Sequence, residues 1–410
     1  MTSALATRIS QEHAAVADSL PAEVVSRERR RSAIHAIENQ GLPTSRDENW
    51  KYVNLRPLER VRFTPATRSP VDAAALPPPI QGYSRYTFVD GVFAPELSNA
   101  ERLGLQLGQT IAHDPDSRLA LLNDAFATDS AAVHVTAGTD RPTCLELIFV
   151  ATSEAQAGAS YPRVELKVDA GARLGLIERH LSVGADNNFV NGFVNVEIGK
   201  GATVRHYQVQ AMGPRAVWFD TIQATLAEDA VYRLHAVGLG ALAARSTVNV
   251  KLAGERADVG VYAVSVADRQ QNHDTYVLAD HIVPRARTEQ TFRGVAAGRS
   301  RVAFNGKVVV RKDAHGTDSR QSLRGLLAGP EAEIDVRPQL EIYTDDVRCS
   351  HGATAGKLDE DMKFYLLSRG LDPETVQRLL KWAFLEDVVS RIEVTELRRE
   401  IELSLDQELA

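Results

Sequence analysis

Cysteine, methionine and tryptophan are scarce in this sequence, with two, three and three residues among 410. The two cysteines, Cys144 and Cys349, cannot build a disulfide framework, so a reducing compartment is expected. One copy of the chain also cannot supply a metal site made of four cysteines. This excludes a structural zinc module of that kind.

The chain also lacks a long hydrophobic run and a targeting segment. No stretch approaches the roughly 18 consecutive apolar residues that a membrane span needs. The first thirty residues contain acidic side chains, among them Glu12, Asp18 and Glu23, and no continuous apolar stretch, which argues against a secretory signal or an organellar transit peptide. We therefore expect a cytoplasmic protein with no membrane contact.

An excess of positive charge is missing as well. The 47 basic and 54 acidic residues give a formal net charge of -7, which disfavours a sequence-independent grip on nucleic acid phosphates. With 410 residues, of which 44% are hydrophobic, the chain can form a sizeable core and roughly two to four structural units. The composition indicates a globular protein that does not bind nucleic acid.

The motifs of the familiar enzyme classes are absent. Segment 352–358, GATAGKL, approaches a phosphate-binding loop, but it has too few residues between its glycines, and Leu358 stands where Ser or Thr would bind magnesium. No nucleophile elbow, HExxH pair or dinucleotide-binding glycine fingerprint occurs. We predict a protein that is not an enzyme, with any nucleotide hydrolysis left to another chain.

The first 143 residues are predicted to form a helical and mixed region. Apolar spacing in 19–40 predicts an amphipathic helix, and the prolines of 66–82 predict an extended connector. Segment 86–93 is typical of a hairpin that turns at its Asp-Gly pair. Helical spacing returns in 119–126.

Four arginines crowd the first predicted helix. Arg27, Arg29, Arg30 and Arg31 suggest an anion-binding patch, but Glu28 lies among them. A solvated helix face explains the pattern better. We predict no function for these arginines.

Residues 144–357 alternate between apolar and polar side chains, which is typical of strands. A unit of strand, short turn, alanine and strand recurs at intervals of 30, 28, 27, 29, 28 and 18 residues. A near-constant period of this length is typical of a stacked β-solenoid. A β-sandwich built from hairpins is the alternative, because turns such as 199–201 also suit hairpins. The repeated alanines are Ala172, Ala202, Ala230, Ala257, Ala286, Ala314 and Ala332.

Residues 358–410 return to helical spacing. Asp359 is a predicted cap of the first helix, a second begins at Asp372, and a third covers 395–403. Helices at the end of a solenoid either cap its open edge or dock a partner. The apolar stripe that we expect to hold these helices together is Val376, Leu379, Leu380, Phe384 and Val388.

The strand region contains several histidines. His206 and His235 fall at comparable places in successive repeats, which could align them as a ladder along the solenoid. Histidines that are hydrogen bonded or solvent exposed are the alternative. The others in this region include His180, His273 and His281.

Cys349 and His351 are two residues apart at the end of the strand region. In an extended segment both side chains face the same side and could share one metal. A packed cysteine beside a hydrogen-bonded histidine is the alternative. Asp345 and Asp346 precede the pair and could accept a hydrogen bond from the imidazole.

Three segments surround or follow this pair: QLEIYTDDVRCSHGAT at 339–354, LDE at 358–360 and FYLLSRG at 364–370. With these segments the sequence resembles the SufD family of iron-sulfur cluster assembly. The resemblance extends over most of the chain. The supporting matches lie at 41–44, 48–52, 88–91, 122–126, 305–307 and 317–318.

The resemblance implies a mainly β fold, a parallel β-helix core at 144–357 flanked by an N-terminal region at 1–143 and a helical domain at 358–410. It also implies a non-catalytic scaffold that pairs with a SufB-like subunit and, through the C-terminal helices, with a SufC-like ATPase. In isolation the chain could form a homodimer.

The resemblance further implies that His351 is an iron or cluster ligand at the interface with the SufB-like subunit, with Cys349 as a second candidate ligand. Where SufB has a cysteine before a leucine pair, this chain has Leu323 followed by Arg324 and Gly325. Iron-sulfur clusters generally take about four thiolate-type ligands. We therefore expect a transient cluster that is shared with the partner, and none that the chain holds stably alone.

Two other functions remain open at this point. A carbohydrate-active enzyme on a β-helix would place clustered carboxylates along the solenoid groove, but such an enzyme is normally secreted. An interaction module that forms a homodimer and binds no metal is the other alternative. Iron and sulfide analysis separates both from the cluster scaffold.

Overall fold

The computed structural model describes residues 4–99, 117–138, 141–152, 158–184 and 188–409. The protein is mainly β, with a parallel β-solenoid between N-terminal and C-terminal helices. This confirms the predicted fold class. The sandwich alternative is wrong, because the strands of the repeats pair in parallel with strands one turn away and not with their neighbours in sequence.

The solenoid has two walls. The even-numbered strands together with β1 form a ten-stranded sheet, and the odd-numbered strands from β3 to β17 form an eight-stranded sheet. From β3 onwards successive strands alternate between these sheets, so each pair makes one turn. The strands are β1 (Ser84–Val89), β2 (Val92–Phe93), β3 (Ala131–Val135), β4 (Thr143–Ala151), β5 (Arg163–Val168), β6 (Arg173–Ser182), β7 (Phe189–Ile198), β8 (Thr203–Ala211), β9 (Val217–Leu226), β10 (Val231–Gly238), β11 (Ala243–Leu252), β12 (Asp258–Ala267), β13 (Asn272–His281), β14 (Arg287–Ala296), β15 (Arg301–Val310), β16 (Thr317–Leu327), β17 (Glu333–Ile342) and β18 (Val347–Lys357).

The repeated alanines occupy the corner between the two sheets. From Ala172 to Ala314 each precedes a strand of the ten-stranded sheet, and each is buried. A small side chain fits there because the chain turns sharply into the core. Ala332 precedes β17 of the opposite sheet, which explains why its interval of 18 residues departs from the others.

The Asp90-Gly91 turn forms the predicted hairpin between β1 and β2. Both residues have positive φ angles, 52° and 85°, as such two-residue turns require. β1 also pairs in parallel with β4, so the ten-stranded sheet begins within the range 1–143. The division of the chain into three domains stays a prediction.

The N-terminal region contains α1 (Ala4–Val16), α2 (Arg27–Gln40) and α3 (Ala120–Phe126). The helix predicted for 19–40 is too long at its start. The hydroxyl of Ser26 accepts a hydrogen bond from the backbone of the first turn and caps α2, which fixes the start at the next residue.

Arg30 of α2 is not on a solvated face, contrary to the prediction. Its side chain is 2% exposed, and its guanidinium donates to the carbonyl oxygens of Pro21, Val25, Ala125 and Ala127 at 2.8–3.0 Å. These carbonyls belong to the segment before α2 and to the end of α3. Arg30 therefore joins α2 and α3 and satisfies backbone groups that would otherwise be buried without donors.

The C-terminal helices are α4 (Glu360–Ser368), α5 (Pro373–Val389) and α6 (Thr395–Leu409). Their predicted starts at Asp359 and Asp372 are confirmed, since both carboxylates accept hydrogen bonds from first-turn backbone N–H groups. None of the helices in the described ranges has the length and apolar character to cross a membrane.

The outer face of the ten-stranded sheet holds α5 and α6. Leu385 and Ile401 belong to one buried cluster with outward-facing strand residues such as Val209 and Val264. Ion pairs flank this contact, with Arg391 to Glu289 at 2.9 Å and Arg179 to Glu400 at 2.5 Å. The helices thus cover one side of the solenoid and do not cap its edge.

The predicted apolar stripe of α5 is only partly buried. Val376 and Val388 are buried, whereas 43% of Leu379 is exposed, and Leu380 and Phe384 are intermediate. α6 contributes more of the buried surface instead. Its buried residues are Leu397, Ile401, Leu405 and Leu409.

Candidate functional site

The C-terminal end of the solenoid is open in the part of the chain that the structure describes. β17 and β18 each pair on one side only, with β15 and β16. Pro338 lies on β17 opposite Gly306, and a proline without N–H is tolerated on an edge strand. The inward side chains at this end pack on the core but stay partly exposed: Ile334, Val336, Leu340, Val347 and Cys349.

Cys349 and His351 both lie on β18, and their spacing places both on the side that faces the solenoid axis. Cys349 is half-buried against the core, and His351 is exposed. Their pairing positions on β16 are Ser319 and Gln321. The two candidate ligands therefore follow each other along the outermost strand.

The thiol of Cys349 is not activated. Burial raises its pKa, and the carboxylate of Asp318 raises it further, while a hydrogen bond from the Ser319 backbone lowers it. The thiol form therefore predominates near neutral pH. A metal bound here has to displace the thiol proton.

Asp345 and Asp346 are not placed to support His351. They lie in the turn before β18, and the backbone carbonyl of Asp346 accepts a hydrogen bond from Gly316 at 2.7 Å. Along an extended strand, the four steps from Val347 to His351 cover roughly 13 Å. The expected hydrogen bond between the imidazole and either aspartate is wrong.

Gln321 is the polar side chain that lies beside His351. It is buried, and its Nε2 donates to Oε1 of Gln290 at 3.0 Å and to the carbonyl of Gly306 at 2.8 Å. Its Oε1 has no hydrogen-bond partner among the described residues. A Cβ on Gly306 would collide with both glutamine side chains, so the glycine makes room for them.

The sequence does not single out Gln321, because one glutamine in an alternating strand carries no signal by itself. The sequence indicates only that Gln321 faces the same side of β16 as Leu323, because the two residues are two positions apart in a strand. Leu323 is buried and pairs with Ala353. No sulfur ligand is present at that position.

Cys144 cannot join Cys349 in one site. It lies on β4, seven strands from β18 in the ten-stranded sheet. At about 4.8 Å per strand, the two strands are roughly 34 Å apart. A cluster at Cys349 therefore needs ligands from another chain.

The proposed histidine ladder is wrong. His206 pairs with Leu234, and His235 pairs with Tyr207, so the two imidazoles face opposite sides of the sheet. His206 lies inside the solenoid. His235 lies outside, stacked between Tyr207 and Tyr262 at ring-centroid distances of 5.2 and 5.0 Å.

The profile of the family described as "SUF system FeS cluster assembly, SufBD core domain" matches residues 149–384. The chain belongs to the SufBD family. In this SufBD protein the matched range runs from β4 into α5 and includes both candidate ligands.

Individual relatives agree with this assignment. The chain is 29% identical to the iron-sulfur cluster assembly protein SufD of Escherichia coli over 382 residues, 90% of each protein. It is 28% identical to a SufBD family protein of Synechocystis over 403 residues, which covers 90% of this chain and 88% of the relative. A SufBD family protein of Mycobacterium tuberculosis is 24% identical over 380 residues, 90% of this chain and 89% of the relative. The resemblance to SufD is confirmed, and this SufBD protein has a role in SUF-system cluster assembly.

Proposed function

We propose that this SufBD protein is a non-catalytic cytoplasmic scaffold that forms a nascent iron-sulfur cluster together with a SufB-like subunit and a SufC-like ATPase. The observation that carries the proposal is the open end of the solenoid. There His351 is exposed on a strand whose outer edge has no partner in the described part of the chain. The cluster is the cargo of this site and not a resident cofactor.

The open end has the properties of a subunit interface. The outer edges of β17 and β18 offer unpaired backbone groups, which soluble proteins usually cover. Apolar side chains are exposed close by, with 39% of Ile342 and 60% of Tyr343 accessible. A partner that extends the sheets and covers these side chains satisfies both requirements. We assign this surface to the SufB-like subunit.

His351 is the ligand that this chain contributes. A neutral imidazole binds iron through one nitrogen while the other donates a hydrogen bond that orients the ring. Oε1 of Gln321 lies on the neighbouring strand and lacks a donor within the described ranges, so we assign it that role. Cys349 is the second candidate ligand. Both together fall short of the usual four ligands, which is why the partner has to supply the rest.

Iron and sulfide analysis of anaerobically co-expressed proteins tests the proposed function. We expect iron and sulfide in the complex with the SufB-like subunit and the ATPase, and none in the chain purified alone. A complex without iron would contradict the scaffold role and favour a metal-free interaction module. A stoichiometric cluster in the isolated chain would contradict the sharing of ligands.

The groove between α5 and α6 is the surface that we assign to the SufC-like ATPase. It has a volume of about 460 Å³. Leu379 and Leu403, which line it, are 43% and 66% exposed, and Trp382, which also lines it, is half-buried. Apolar anchors surrounded by charges are typical of binding hot spots. The charged residues around them are Arg378, Arg399, Glu402 and Asp406.

Leu403→Asp is expected to weaken ATPase binding at least tenfold, because it replaces an exposed apolar side chain of this groove with a charge. Affinity measured with the purified ATPase checks this. Ile282→Asp is the matched control, since Ile282 is also exposed but lies on the solenoid away from α5 and α6. Equal affinities of both variants would contradict the assignment. Truncation after residue 357 is less informative, because it also exposes the sheet face beneath α5 and α6.

The purified chain is expected to show no ATPase activity. The segment 352–357 that approaches a phosphate loop is part of β18, and an extended strand does not cradle phosphates with successive backbone N–H groups as such a loop does. Phosphate release measured for the chain and for Lys357→Ala should match the background. Turnover that Lys357→Ala abolishes would overturn this prediction.

A further inference from the structure

A polar cluster lies inside the solenoid, far from the open end. Glu178 and His180 on β6 have the same parity as the inward-facing core residue Leu176, and His206 on β8 lies opposite Leu176. Asp220 projects towards them from β9 in the other sheet. All four polar side chains are at most 2% exposed. Titratable groups are costly in such a place unless they are compensated.

Hydrogen bonds compensate these groups in part. His180 Nε2 and His206 Nε2 lie 2.6 and 2.9 Å from the two oxygens of Glu178. His206 Nδ1 lies 3.0 Å from the hydroxyl of Tyr232. Gln208 Nε2 donates to Oδ2 of Asp220 at 3.0 Å. The carboxylate of Glu178 is therefore held between two imidazoles.

Two atoms of the cluster are left without partners. His180 Nδ1 and Asp220 Oδ1 are buried and have no hydrogen bond within the described residues. When His180 donates through Nε2 to Glu178, its Nδ1 carries only a lone pair. Asp220 Oδ1 also offers lone pairs. Both atoms therefore carry lone pairs in a closed interior and receive no hydrogen bond. Such a pair of atoms is suited to bind a cation.

The neighbouring residues hold these donors in place. The His180 ring stacks on Phe149 at 5.2 Å and meets the edge of Trp218 at 5.3 Å between ring centroids. Gly192 lies against Asp220, and a Cβ there would collide with the carboxylate. Rigid packing of this kind is what a metal site requires of its ligands.

We propose that His180, through Nδ1, and Asp220, through Oδ1, bind one divalent first-row transition metal ion inside the solenoid, while Glu178 orients the His180 ring from its other nitrogen. The ligand-type atoms of Glu178, His180 and Asp220 lie within 4.8 Å of one another. Metal bonds of about 2.1 Å bring ligands to within roughly 4.2 Å of each other. Small side-chain movements therefore close the site.

The donor set defines the class of metal. One imidazole and one carboxylate suit Zn²⁺, Fe²⁺ or Mn²⁺, whereas Ca²⁺ takes only oxygen ligands and Cu⁺ prefers sulfur. A divalent cation also neutralises the two buried carboxylates. The hydrogen bond between Glu178 and His180 matches the carboxylate–imidazole pairs that orient metal-binding histidines.

A small cavity adjoins the cluster. Its volume is about 40 Å³, and Gln208 and Trp218 are among its lining residues. Gln210 and Ser246 also line it. The cavity has room for a water molecule next to the residues that surround the cluster.

Cobalt binding by the full-length chain tests this proposal. Cys349→Ser and His351→Ala are introduced first, so that the open end contributes no signal. The protein is refolded with a chelator or with Co²⁺, because a closed interior takes up its metal during folding. We expect one equivalent of bound Co²⁺ with d–d absorption, and a melting temperature above that of the metal-free protein.

Asp220→Asn in the same background should bind Co²⁺ at least tenfold more weakly. His281→Gln replaces a buried histidine outside the cluster and should bind as its parent does. Should Asp220→Asn fail to refold, His180→Gln decides in its place. No Co²⁺ bound by the parent, or equal affinity in Asp220→Asn and the parent, would show a hydrogen-bonded cluster without metal and overturn the proposal.

Discussion

Replacing His351 by alanine is expected to lower cluster formation in the three-protein complex at least tenfold while leaving assembly of the subunits intact. The imidazole is exposed at the open end of the solenoid, so its removal leaves no cavity in the core. It takes away one iron ligand, and loss of a ligand generally weakens a metal site more than the 10- to 100-fold that loss of a supporting hydrogen bond costs. The rate of cluster formation, followed by visible absorption under anaerobic conditions, measures the effect.

Ser350→Ala is the matched control for this experiment. Ser350 is exposed on the same strand, but its side chain faces the opposite side of the sheet from His351. It should form clusters at the rate of the unmodified complex. A His351→Ala complex that also keeps that rate would show that the motif is structural and would remove His351 from the site.

Arg30→Ala is expected to lower the free energy of unfolding by about 3 to 5 kcal/mol. Losing the guanidinium leaves the buried carbonyl oxygens of Val25, Ala125 and Ala127 without their donor, and breaking a buried charged contact from one side generally costs this much. Urea unfolding followed by circular dichroism measures the change.

The matched control is Arg31→Ala, on the same helix with an exposed side chain. A surface change of this type usually alters stability by less than about 0.5 kcal/mol. If both variants unfold at the same urea concentration, Arg30 does not join α2 and α3 in the way that its hydrogen bonds indicate.

The sequence predicted the solenoid because its determinants are periodic. Alternating side chains define the strands, and the corner alanines recur once per turn. Ala332 was counted with the alanines that precede strands of the other wall, because a corner alanine looks the same in both walls. Arg30 was missed for a related reason. Its partners are backbone carbonyls, including those of Ala125 and Ala127, and these leave no trace in the side-chain pattern.

The candidate ligands at the open end were predicted from a local motif, whereas the interior cluster was not. Cys349 and His351 are neighbours in sequence. Glu178 and Asp220 meet only because β6 and β9 belong to opposite walls of one solenoid. No spacing rule links residues across the walls, since that contact depends on how the turns close. The position of α5 and α6 on the outer face depends in the same way on the apolar surface of the sheet.

The parallel register of the strands bears on how such a protein can change length during evolution. Each turn contacts only the turns before and after it, and side chains at matching positions face the same side in every turn. Insertion of a complete turn before β18 would displace His351 by about 4.8 Å along the solenoid axis and preserve the side that it faces. If one residue just before Cys349 were deleted, either the residues before the deletion or those after it would turn their side chains to the opposite face of the sheet. Lineages should therefore gain or lose whole turns, or vary the corners, and should rarely tolerate single-residue gaps within strands.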